Sequence, residues 1–406
     1  MVNINELQGM LDLCSRCGNC QQICPLYAEV KQETAVARGK LHLISLLVGD
    51  EINPSSRLQQ ILDFCLLCGR CSSLCQNGVP SDTLIVLGRA LVNQSIPKFK
   101  HKLIRYMLRK ERMKYSFHGL YFTRKMRIDM PLQWVGKMKP YWPYYNLITS
   151  NLKKRPLTES LPKVTEISQS KKQKVGYFIG CMNNFISQSV GQSTYSIITK
   201  LGFEVVIPDQ KCCGMPAWTN GDLKLAEELV QLYVYTFNNS NVDLIVTDCA
   251  SCGHSLKHLP EFFLKEEGRQ FQTKVMDISE FLCNYLEPSF LRSYEGAISY
   301  HDPCHLRYGQ KVIDQPRNVL RLIPELELRE LNDPGCCGFA GTFITSYLET
   351  TQKFGMQRAK AIIDSGVKKV ITSCPACQLQ LDKNLKDLEN SVEVLNLVEF
   401  VDRLMK

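Results

Sequence analysis

The sequence lacks the features that mark secreted, membrane-spanning and hydrolytic proteins. No run of apolar residues approaches the roughly 18–20 that a membrane-spanning helix requires. The first residues, MVNINELQGM, have neither the basic nor the apolar region of a secretory signal. There are only 7 His, and no Ser/His/Asp or paired-carboxylate arrangement indicates hydrolysis. We therefore expect a cytoplasmic protein without a hydrolytic site.

Cysteine, by contrast, is abundant, with 19 copies in 406 residues. Cytoplasmic thiols stay reduced, so this number indicates metal or redox chemistry rather than a disulfide scaffold. The rest of the composition, 44% hydrophobic and 22% charged, is that of an ordinary globular protein. The length predicts about two to four domains, each able to bury its own core.

The positive charge is concentrated in one segment. Residues 98–139 contain 13 Lys or Arg and two acids, a local net charge of +11, which leaves −2 for the rest of a chain whose net charge is +9. Aromatic and methionine side chains lie among these basic residues as far as Tyr145. The mixture suits an anionic membrane surface or an acidic partner subunit, and a solvated linker between domains is the equal alternative. No recognition motif for nucleic acid accompanies the charge, so no nucleic-acid partner is expected.

Eight cysteines between residues 14 and 75 form two runs with the same spacing, C-x2-C-x2-C-x3-C. This spacing is typical of two-cluster ferredoxins, in which three thiolates of a run bind one [4Fe–4S] cluster and the fourth binds the other. Zinc is the competing metal, but a tetrahedral zinc site has no use for two such runs. The predicted sets are Cys14, Cys17, Cys20 and Cys75 for one cluster, and Cys65, Cys68, Cys71 and Cys24 for the other.

Ten of the remaining cysteines form a repeated pattern. Two adjacent cysteines followed by glycine lie between a single cysteine and a C-x2-C pair, and the pattern recurs at offsets of 123 to 125 residues. A duplication is the simplest account. Five thiols per half are one more than a cubane cluster needs, and structural cysteines alone explain so rare a pattern poorly. The two sets are Cys181, Cys212, Cys213, Cys249 and Cys252, and Cys304, Cys336, Cys337, Cys374 and Cys377.

Hydrophobic periodicity predicts the architecture around these motifs. Each half alternates short apolar strands with helical stretches, and the cysteines follow strands, where open α/β sheets collect ligands. The predicted fold class is mixed α+β and α/β. It comprises a helical two-cluster ferredoxin-like domain (1–95), a basic aromatic linker with helices (96–172) and two duplicated α/β domains (173–290 and 291–406). The polar run 153–174 is read as part of the linker. Predicted strands are Val175–Ile179, Phe203–Ile207, Leu244–Thr247, Ala297–Tyr300, Leu326–Leu328 and Lys369–Thr372, and predicted helices include Val36–Val48, Leu223–Phe237 and Ser346–Asp364.

The repeated motifs resemble the CCG cysteine-rich domain of heterodisulfide reductase. A two-cluster ferredoxin domain followed by two CCG domains accounts for nearly the whole chain, and this order resembles the glycolate or D-lactate oxidase iron–sulfur subunit family. Arg38-Gly39-Lys40 and the stretch from His301 to Gln310 carry the same likeness. The resemblance implies an oxidoreductase subunit that transfers electrons in a flavin-dependent 2-hydroxyacid dehydrogenase and does not oxidise substrate alone. It also implies one or two further iron–sulfur clusters in the CCG domains, and the heterodisulfide reductase likeness suggests a non-cubane type.

The sequence is compatible with three other functions. Both C-x2-C pairs are complete, whereas glycolate-oxidase relatives often keep only one cysteine of the pair, so a heterodisulfide-reductase-like subunit that cleaves a disulfide is the first alternative. The anaerobic glycerol-3-phosphate dehydrogenase iron–sulfur subunit, whose likeness differs only in the partner, is the second. A zinc-bearing scaffold is the third. The sequence identifies no catalytic residue.

The expected partners follow from what the chain does not encode. Oxidation of a hydroxy acid at carbon needs a two-electron acceptor such as a flavin, and the sequence has neither a strand-linked G-x-G-x-x-G nor a P-loop. We therefore expect a separate FAD-containing dehydrogenase subunit, and a quinone or other carrier that takes the electrons onward. The segment 98–145 is the expected docking face, for this partner or for peripheral contact with the inner face of the cell membrane.

A few chemically interesting residues lie beside or outside these sets. His301, His305 and His254 are close in sequence to predicted ligands, and hydrogen bonding to the site is the favoured role over iron ligation. Cys283 lies in the apolar stretch 278–286 and is predicted to be a core thiol.

Overall fold

The computed structural model describes residues 4–96, 99–108, 112–126, 142–165, 171–332 and 335–406. The chain forms two compact units. The first contains Met1–Tyr106, Gly214–Glu227 and Ala340–Tyr347, and the second contains Met107–Cys213, Glu228–Phe339 and Leu348–Lys406. Two short inserted segments, one after the adjacent cysteines Cys212-Cys213 and one after Cys336-Cys337, therefore belong to the first unit. The predicted fold class, a helical ferredoxin-type domain followed by two α/β domains, is confirmed.

The first unit is helical. In α4, which matches the predicted helix, Leu41, Ile44 and Leu47 are buried. A Cβ on Gly88 of α7 would lie 2.7 Å from Ile44 Cδ1, so glycine allows these two helices to pack closely. The helices are α1 (Ile4–Asp12), α2 (Asn19–Ile23), α3 (Pro25–Val30), α4 (Ala37–Val48), α5 (Ser56–Asp63), α6 (Arg70–Ser73), α7 (Ser81–Ser95) and α8 (Phe99–Leu108), with α13 (Met215–Thr219) from the first inserted segment.

The inserted segments are held within this unit by specific contacts. Arg89 of α7 donates a hydrogen bond to the carbonyl of Thr219. Asn93 Nδ2 donates to the carbonyl of Asn220 at 2.8 Å. In the other segment, the ring of Phe343 lies 5.8 Å from that of Phe64. These contacts attach the residues that follow both cysteine pairs to the ferredoxin-type helices.

Two β-sheets form the centre of the second unit. One sheet has the order β1-β3-β2-β4-β5, and the other has the order β7-β6-β8-β9. Apart from β1, which pairs antiparallel with β3, all neighbours are parallel. The strands are β1 (Val164–Thr165), β2 (Lys171–Tyr177), β3 (Phe203–Val206), β4 (Leu244–Thr247), β5 (Val275–Asp277), β6 (Gly296–His301), β7 (Leu326–Arg329), β8 (Lys369–Thr372) and β9 (Glu393–Asn396). The matching orders show the duplication in three dimensions, and all six predicted strands are present.

Helices flank both sheets, and one hydrophobic core joins the two halves. Phe281 of the first half and Phe400 of the second are both buried in this core. The same capping box begins the last helix of each half, with Asp277 and Glu280 at α16 and Asn396 and Glu399 at α20. The helices are α9 (Arg112–Lys125), α10 (Trp142–Asn151), α11 (Cys181–Phe185), α12 (Gln188–Lys200), α15 (Ala250–Gln272, kinked at Lys265), α16 (Ile278–Tyr285), α17 (Asp314–Arg321), α18 (Leu348–Asp364), α19 (Pro375–Asp387) and α20 (Leu397–Leu404); α14 (Leu223–Asn238) begins in the first unit.

In its described residues, 153–165 and 171–174, the polar run is packed and partly in β-strands rather than a linker, which corrects that prediction. Leu157 is fully buried in the core of the second unit, and a Cβ on Gly191 would lie 2.4 Å from its Cδ2. Thr165 hydrogen-bonds the hydroxyl of Tyr195. Apolar anchors at a few positions therefore fix a segment whose composition is polar.

Part of the basic segment is also packed. The rings of Phe117 and Phe185 stack with centroids 4.4 Å apart, and Lys114 forms an ion pair with Glu159. Residues 127–141, which include Trp134 and three of the basic residues, lie outside the described part of the chain. Among the helices that the structure describes, none is both long enough and apolar enough to cross a membrane.

Candidate metal centres

The two ferredoxin-type runs adopt the same loop. The residue before the second cysteine of each run has a left-handed φ, 57° at Arg16 and 49° at Leu67. The glycine after that cysteine is also left-handed, with φ of 89° at Gly18 and 74° at Gly69. Positive φ is uncommon for residues other than glycine, so its repetition at matching positions shows that the two runs are structurally equivalent.

The first predicted set of thiols surrounds one cavity. Cys14, Cys17 and Cys20 of the first run and Cys75 of the second line this cavity, and Cys71 is among its other lining residues. Arg38 lies beside it, donating to the carbonyl of Arg16 at 3.2 Å and pairing with the Glu33 carboxylate at 2.7 and 2.9 Å. The cation next to this set is thus partly exposed and already paired with an acid.

None of the four cysteines of the second predicted set is exposed, whereas Cys17 of the first set is. Cys24 of the first run interacts electrostatically with Cys65, Cys68 and Cys71 of the second. Burial raises the pKa of Cys68 to about 11 and that of Cys71 well above its usual value. Four thiolates in such surroundings need positive charge to compensate them, and a metal group supplies it.

Two buried cations accompany this second set, and sequence reasoning missed both. Lys40 is fully buried, and its Nζ donates to the carbonyl of Thr34 at 2.5 Å. Desolvation lowers the pKa of Lys40, while interaction with Cys65 and Cys24 raises it. Arg89 donates to the backbone carbonyls of Leu62, at 2.9 Å, and of Cys65, at 3.0 Å. The only sequence feature that could have indicated a role for Lys40 was its place in Arg38-Gly39-Lys40, and no sequence feature indicated a role for Arg89.

The CCG cysteines lie at the carboxyl ends of the parallel strands. Cys249 is the N-cap residue of α15 and Cys374 that of α19, each just after a strand. Cys181 and Cys304 follow β2 and β6 within four residues. Negative charge is favoured at the N-termini of helices, so these positions suit thiolates or an anionic cluster.

The two CCG motifs meet. The Cys249 thiol interacts with those of Cys252 in its own motif and Cys374 in the other. From each of these partners the thiol contacts continue, through Cys213 on one side and through Cys377 and Cys337 on the other. The Cys181 thiol interacts with that of Cys212. The Cys336 thiol interacts with those of Cys337 and Cys304. The ten predicted CCG thiols therefore lie in one continuous band across the two sheets.

Glycines allow the backbone to approach this band. Gly214 and Gly338, which follow the adjacent cysteines, both have φ of 87°. A Cβ on Gly338 would lie 2.5 Å from the carbonyl oxygen of Thr351, and one on Gly180 would lie 2.8 Å from Cys252 Sγ. The third residue of each CCG motif is thus a requirement of backbone geometry.

The histidines differ in their surroundings. His305 Nδ1 hydrogen-bonds Ser251 Oγ at 2.9 Å, and the ring of His254 lies 5.1 Å from that of His305. His301 is buried and close enough to Cys337 and Cys377 for one metal ion to reach all three. Cys283 lies apart from both cysteine groups, with Sγ 3.2 Å from the Gln315 carbonyl, and is half-buried against the core.

These donor sets fit iron–sulfur groups. The predicted ligands are thiols throughout, in two sets of four and two of five, and the glycines and left-handed turns leave room beside them. Thiolates are the ligands that such clusters use.

Comparison with protein families agrees with this chemistry. The 4Fe-4S dicluster domain family matches residues 10–79, and the cysteine-rich CCG domain family matches residues 175–257 and 298–382. The chain therefore carries two [4Fe–4S] clusters in its ferredoxin domain and binds iron–sulfur clusters in its CCG domains.

Curated relatives carry related names. An uncharacterised iron–sulfur protein of Methanocaldococcus jannaschii is 34% identical over 61% of this chain, and the chain spans 51% of its length. A probable glycolate oxidase iron–sulfur subunit of Bacillus subtilis is 26% identical, with 97% of this chain and 94% of the relative covered. One of the subunits of the dihydromethanophenazine:CoB–CoM heterodisulfide reductase of Methanosarcina acetivorans is 25% identical, with 98% and 95% covered.

The predicted resemblance is confirmed by these matches. The chain is an iron–sulfur electron-transfer protein that contains a 4Fe-4S dicluster domain and two cysteine-rich CCG domains, and it is related to the glycolate oxidase iron–sulfur subunit and to a subunit of heterodisulfide reductase.

Proposed function

We propose that this chain is the electron-transfer subunit of a flavin-dependent 2-hydroxyacid dehydrogenase of the glycolate or lactate type. The observation that carries the proposal is that both runs contribute thiols to each of two neighbouring groups. Cys14, Cys17, Cys20, Cys71 and Cys75 line one cavity, and Cys24 interacts with Cys65, Cys68 and Cys71. Two groups linked in this way can pass electrons singly. The likeness to the glycolate oxidase subunit over 97% of the chain supports the partner chemistry.

The ligand sets belong to the same proposal. Cys14, Cys17, Cys20 and Cys75 would hold one [4Fe–4S] cluster, and Cys24, Cys65, Cys68 and Cys71 the other. In the CCG domains, the five thiols of each motif would hold the further clusters, namely Cys181, Cys212, Cys213, Cys249 and Cys252, and Cys304, Cys336, Cys337, Cys374 and Cys377. Bound there, the clusters supply one-electron storage.

The proposed overall reaction requires a partner flavoprotein, which oxidises the hydroxy acid. The hydroxy acid loses a hydride to the partner's flavin and a proton to solvent, and becomes a 2-oxo acid. The flavin then gives up two electrons, which the chain carries one at a time. A quinone takes up both electrons with two protons and becomes a quinol. The residues of this chain would bind the redox groups.

Docking is proposed for the basic segment 98–145. In its described part, Tyr115, Phe122 and Met126 have exposed fractions of 67%, 47% and 67%. Basic and aromatic side chains together suit either the partner subunit or an anionic lipid surface. Replacing Tyr115 and Phe122 by Ser should weaken binding to whichever is the true surface, measured by vesicle sedimentation and by co-purification with the flavoprotein.

The decisive experiment uses the anaerobically isolated complex. Glycolate or lactate should reduce its clusters, seen as EPR signals, and the chain purified alone should show no such reduction. Oxidation of either acid by the flavin-free chain would contradict the proposal, as would a complex whose clusters no 2-hydroxy acid reduces.

Disulfide reduction is the second candidate function, and the contact between Cys249 and Cys374 favours it. Because this contact makes the two five-thiol motifs neighbours, the clusters they would hold could together supply the two electrons that cleavage of a disulfide needs. In that reaction the disulfide takes two electrons and two protons and is cleaved to two thiols. The electrons would come from a donor partner through the ferredoxin domain. The likeness to the heterodisulfide reductase chain of Methanosarcina acetivorans supports this candidate.

Reduced viologen tests this candidate directly. The purified chain should oxidise it on addition of a low-molecular-weight disulfide and release two thiols for every two viologen electrons. Cys249→Ser should abolish this reaction, and Cys283→Ser, a thiol outside both groups, should not. Failure with a panel of disulfides would remove disulfide reduction while leaving the dehydrogenase proposal intact.

A further inference from the structure

The two CCG halves differ in one buried pair of residues. His301 of the second half lies three residues before Cys304, where the first half has Phe178 before Cys181. Arg358 is related by the offset of 124 to Val234. All four side chains are buried, with exposed fractions of 1% for His301, 3% for Arg358, 0% for Phe178 and 1% for Val234. A polar, cationic pair in one half thus replaces an apolar pair in the other.

The polar pair is hydrogen-bonded in a defined direction. Arg358 Nε donates to His301 Nδ1 at 3.0 Å. Because a guanidinium has only donors and keeps its charge, Nδ1 must accept, and the neutral imidazole then carries its hydrogen on Nε2. A ring nitrogen of His301 also lies within 4.8 Å of the Cys337 sulfur, and the two side chains interact. The group available to donate to that sulfur is therefore Nε2–H.

This geometry argues against His301 as an iron ligand. A histidine that binds a metal through one nitrogen donates the N–H of the other to a carboxylate, carbonyl or water. Here the other nitrogen faces the guanidinium of Arg358, which cannot accept. Ligation through Nε2 would leave the ring with no hydrogen on either nitrogen. His301 is instead a positioning residue that acts through Cys337.

At the two matching positions the first half has no positive charge. Phe178 packs against the aromatic rings of Tyr233 and Phe237. Next to Cys249 the first half has Asp248, a buried carboxyl that hydrogen-bonds Tyr177, Asn183 and Thr194. The second half has Ser373 at that position. Beside its cysteines the first half therefore has an apolar pair and a buried carboxyl. The second half has the cation Arg358 and a buried carboxylate, Asp302, which is paired with Arg317 and Arg307.

We propose that Arg358 and His301 form a relay of hydrogen bonds onto Cys337 that makes the second CCG site easier to reduce than the first, so that electrons collect at the second site. Hydrogen bonds to cysteine sulfur and nearby positive charge both stabilise the more negative, reduced form of an iron–sulfur group. The proposal rests on the proposed function of the CCG cysteines as cluster ligands. It adds a direction, from the site of the first half to that of the second.

His301→Phe, which gives the second half the residue of the first, tests the relay. The anaerobically purified full chain is titrated with a reductant and followed by EPR. The reduction equilibrium of the CCG signal with the higher potential should fall at least tenfold, about 59 mV for one electron. Arg358→Met should lower it in the same direction. His301→Gln, which keeps an N–H donor, should retain part of the effect and serves if the Phe variant does not fold.

The controls separate tuning from ligation. Phe178→Leu, at the matching position of the first half, should leave every potential unchanged, and iron and sulfide contents should be the same in all variants. Loss of iron in His301→Gln would overturn the relay by showing that His301 is a ligand. Unchanged potentials with full iron content would also overturn it. A wild-type chain with no CCG iron would overturn the proposed ligand role as well, so the two failures are distinguishable.

Discussion

Cys249 and Cys374, which occupy the same position in the two CCG motifs, lie close enough for their thiols to interact. Each is the N-cap residue of a helix that begins after a strand, α15 for Cys249 and α19 for Cys374. The contact brings the carboxyl edges of the two sheets together, and one band of thiols results. We therefore expect that a substitution at either cysteine affects the sites of both halves.

Cys249→Ser and Cys374→Ser test this shared site. Each should lower the iron content of the CCG domains, because serine is a poor substitute for a thiolate ligand, and each should also change the EPR signal of the motif that keeps all its cysteines. The two [4Fe–4S] clusters of the ferredoxin domain should stay intact. Cys283→Ser is the matched control and should leave iron, sulfide and spectra unchanged. Loss of iron from one motif with no effect on the other would contradict the shared site.

Lys40→Met tests the buried charge beside Cys24 and Cys65. Because Lys40 is fully buried and no carboxylate in the described part of the chain pairs with it, its charge is poorly screened. Its loss should lower the potential of one [4Fe–4S] cluster by about 59 mV or more, a tenfold change in the reduction equilibrium. Redox titration followed by EPR measures it.

Arg38→Met is the comparison for this charge. Arg38 is partly exposed and paired with Glu33, so solvent and the carboxylate already screen it. Its removal should shift the other cluster, and by less. Equal shifts in the two variants would show that burial is not what gives Lys40 its effect.

Much of this fold could be predicted from the sequence, for identifiable reasons. Strands such as Leu244–Thr247 are short apolar runs next to cysteines, and their position follows from periodicity. Val275–Asp277 and Glu393–Asn396 were missed because three or four residues of mixed polarity give no periodic signal. The attachment of Gly214–Glu227 to the ferredoxin-type helices had no local signal, since it depends on tertiary contacts such as that of Arg89 with Thr219.

The candidate site, too, could be predicted only in part. Cysteine spacing identified the thiols and their repetition because ligand spacing is a local property. The charged residues around the thiols could not be predicted, since a lysine is ordinarily exposed and nothing in the sequence marks Lys40 as buried. Arg358 lies 57 residues from His301 in the chain, and only folding brings them within hydrogen-bonding distance.

Asp277 predicts a pH dependence of stability. Burial raises the pKa of this carboxyl to about 7, against about 3.9 in an unfolded chain. The folded state therefore binds the proton more tightly, and the stability this gives is complete below about pH 4 and lost as the pH rises through about 7. The neighbouring Lys257 pairs with Glu280, and Asp277 Oδ2 has no hydrogen-bond partner among the described residues.

Asp277→Asn keeps an N-cap side chain for α16 and removes the charge. At pH 8 it should raise the free energy of unfolding by on the order of 1–3 kcal/mol, and at pH 4 it should have little effect. The thermal midpoints of the anaerobic holoprotein at the two pH values measure this. A variant destabilised equally at both would indicate that the carboxylate is needed for the cap.

Gly338→Ala tests whether the glycine of the CCG motif is a steric requirement. Its φ of 87° is unfavourable for alanine, and the added Cβ would lie 2.5 Å from the Thr351 carbonyl oxygen. Gly202→Ala is a matched control, because Gly202 has a φ of 84° and open space where the Cβ would be. The control should cost only the strain of a left-handed residue, about 1–2 kcal/mol, and keep its iron. Gly338→Ala should be destabilised further and lose iron from the second CCG site, because Cys336 and Cys337 immediately precede the displaced backbone. Equal thermal midpoints for the two variants would show that backbone conformation alone, without the close approach to Thr351, accounts for the glycine.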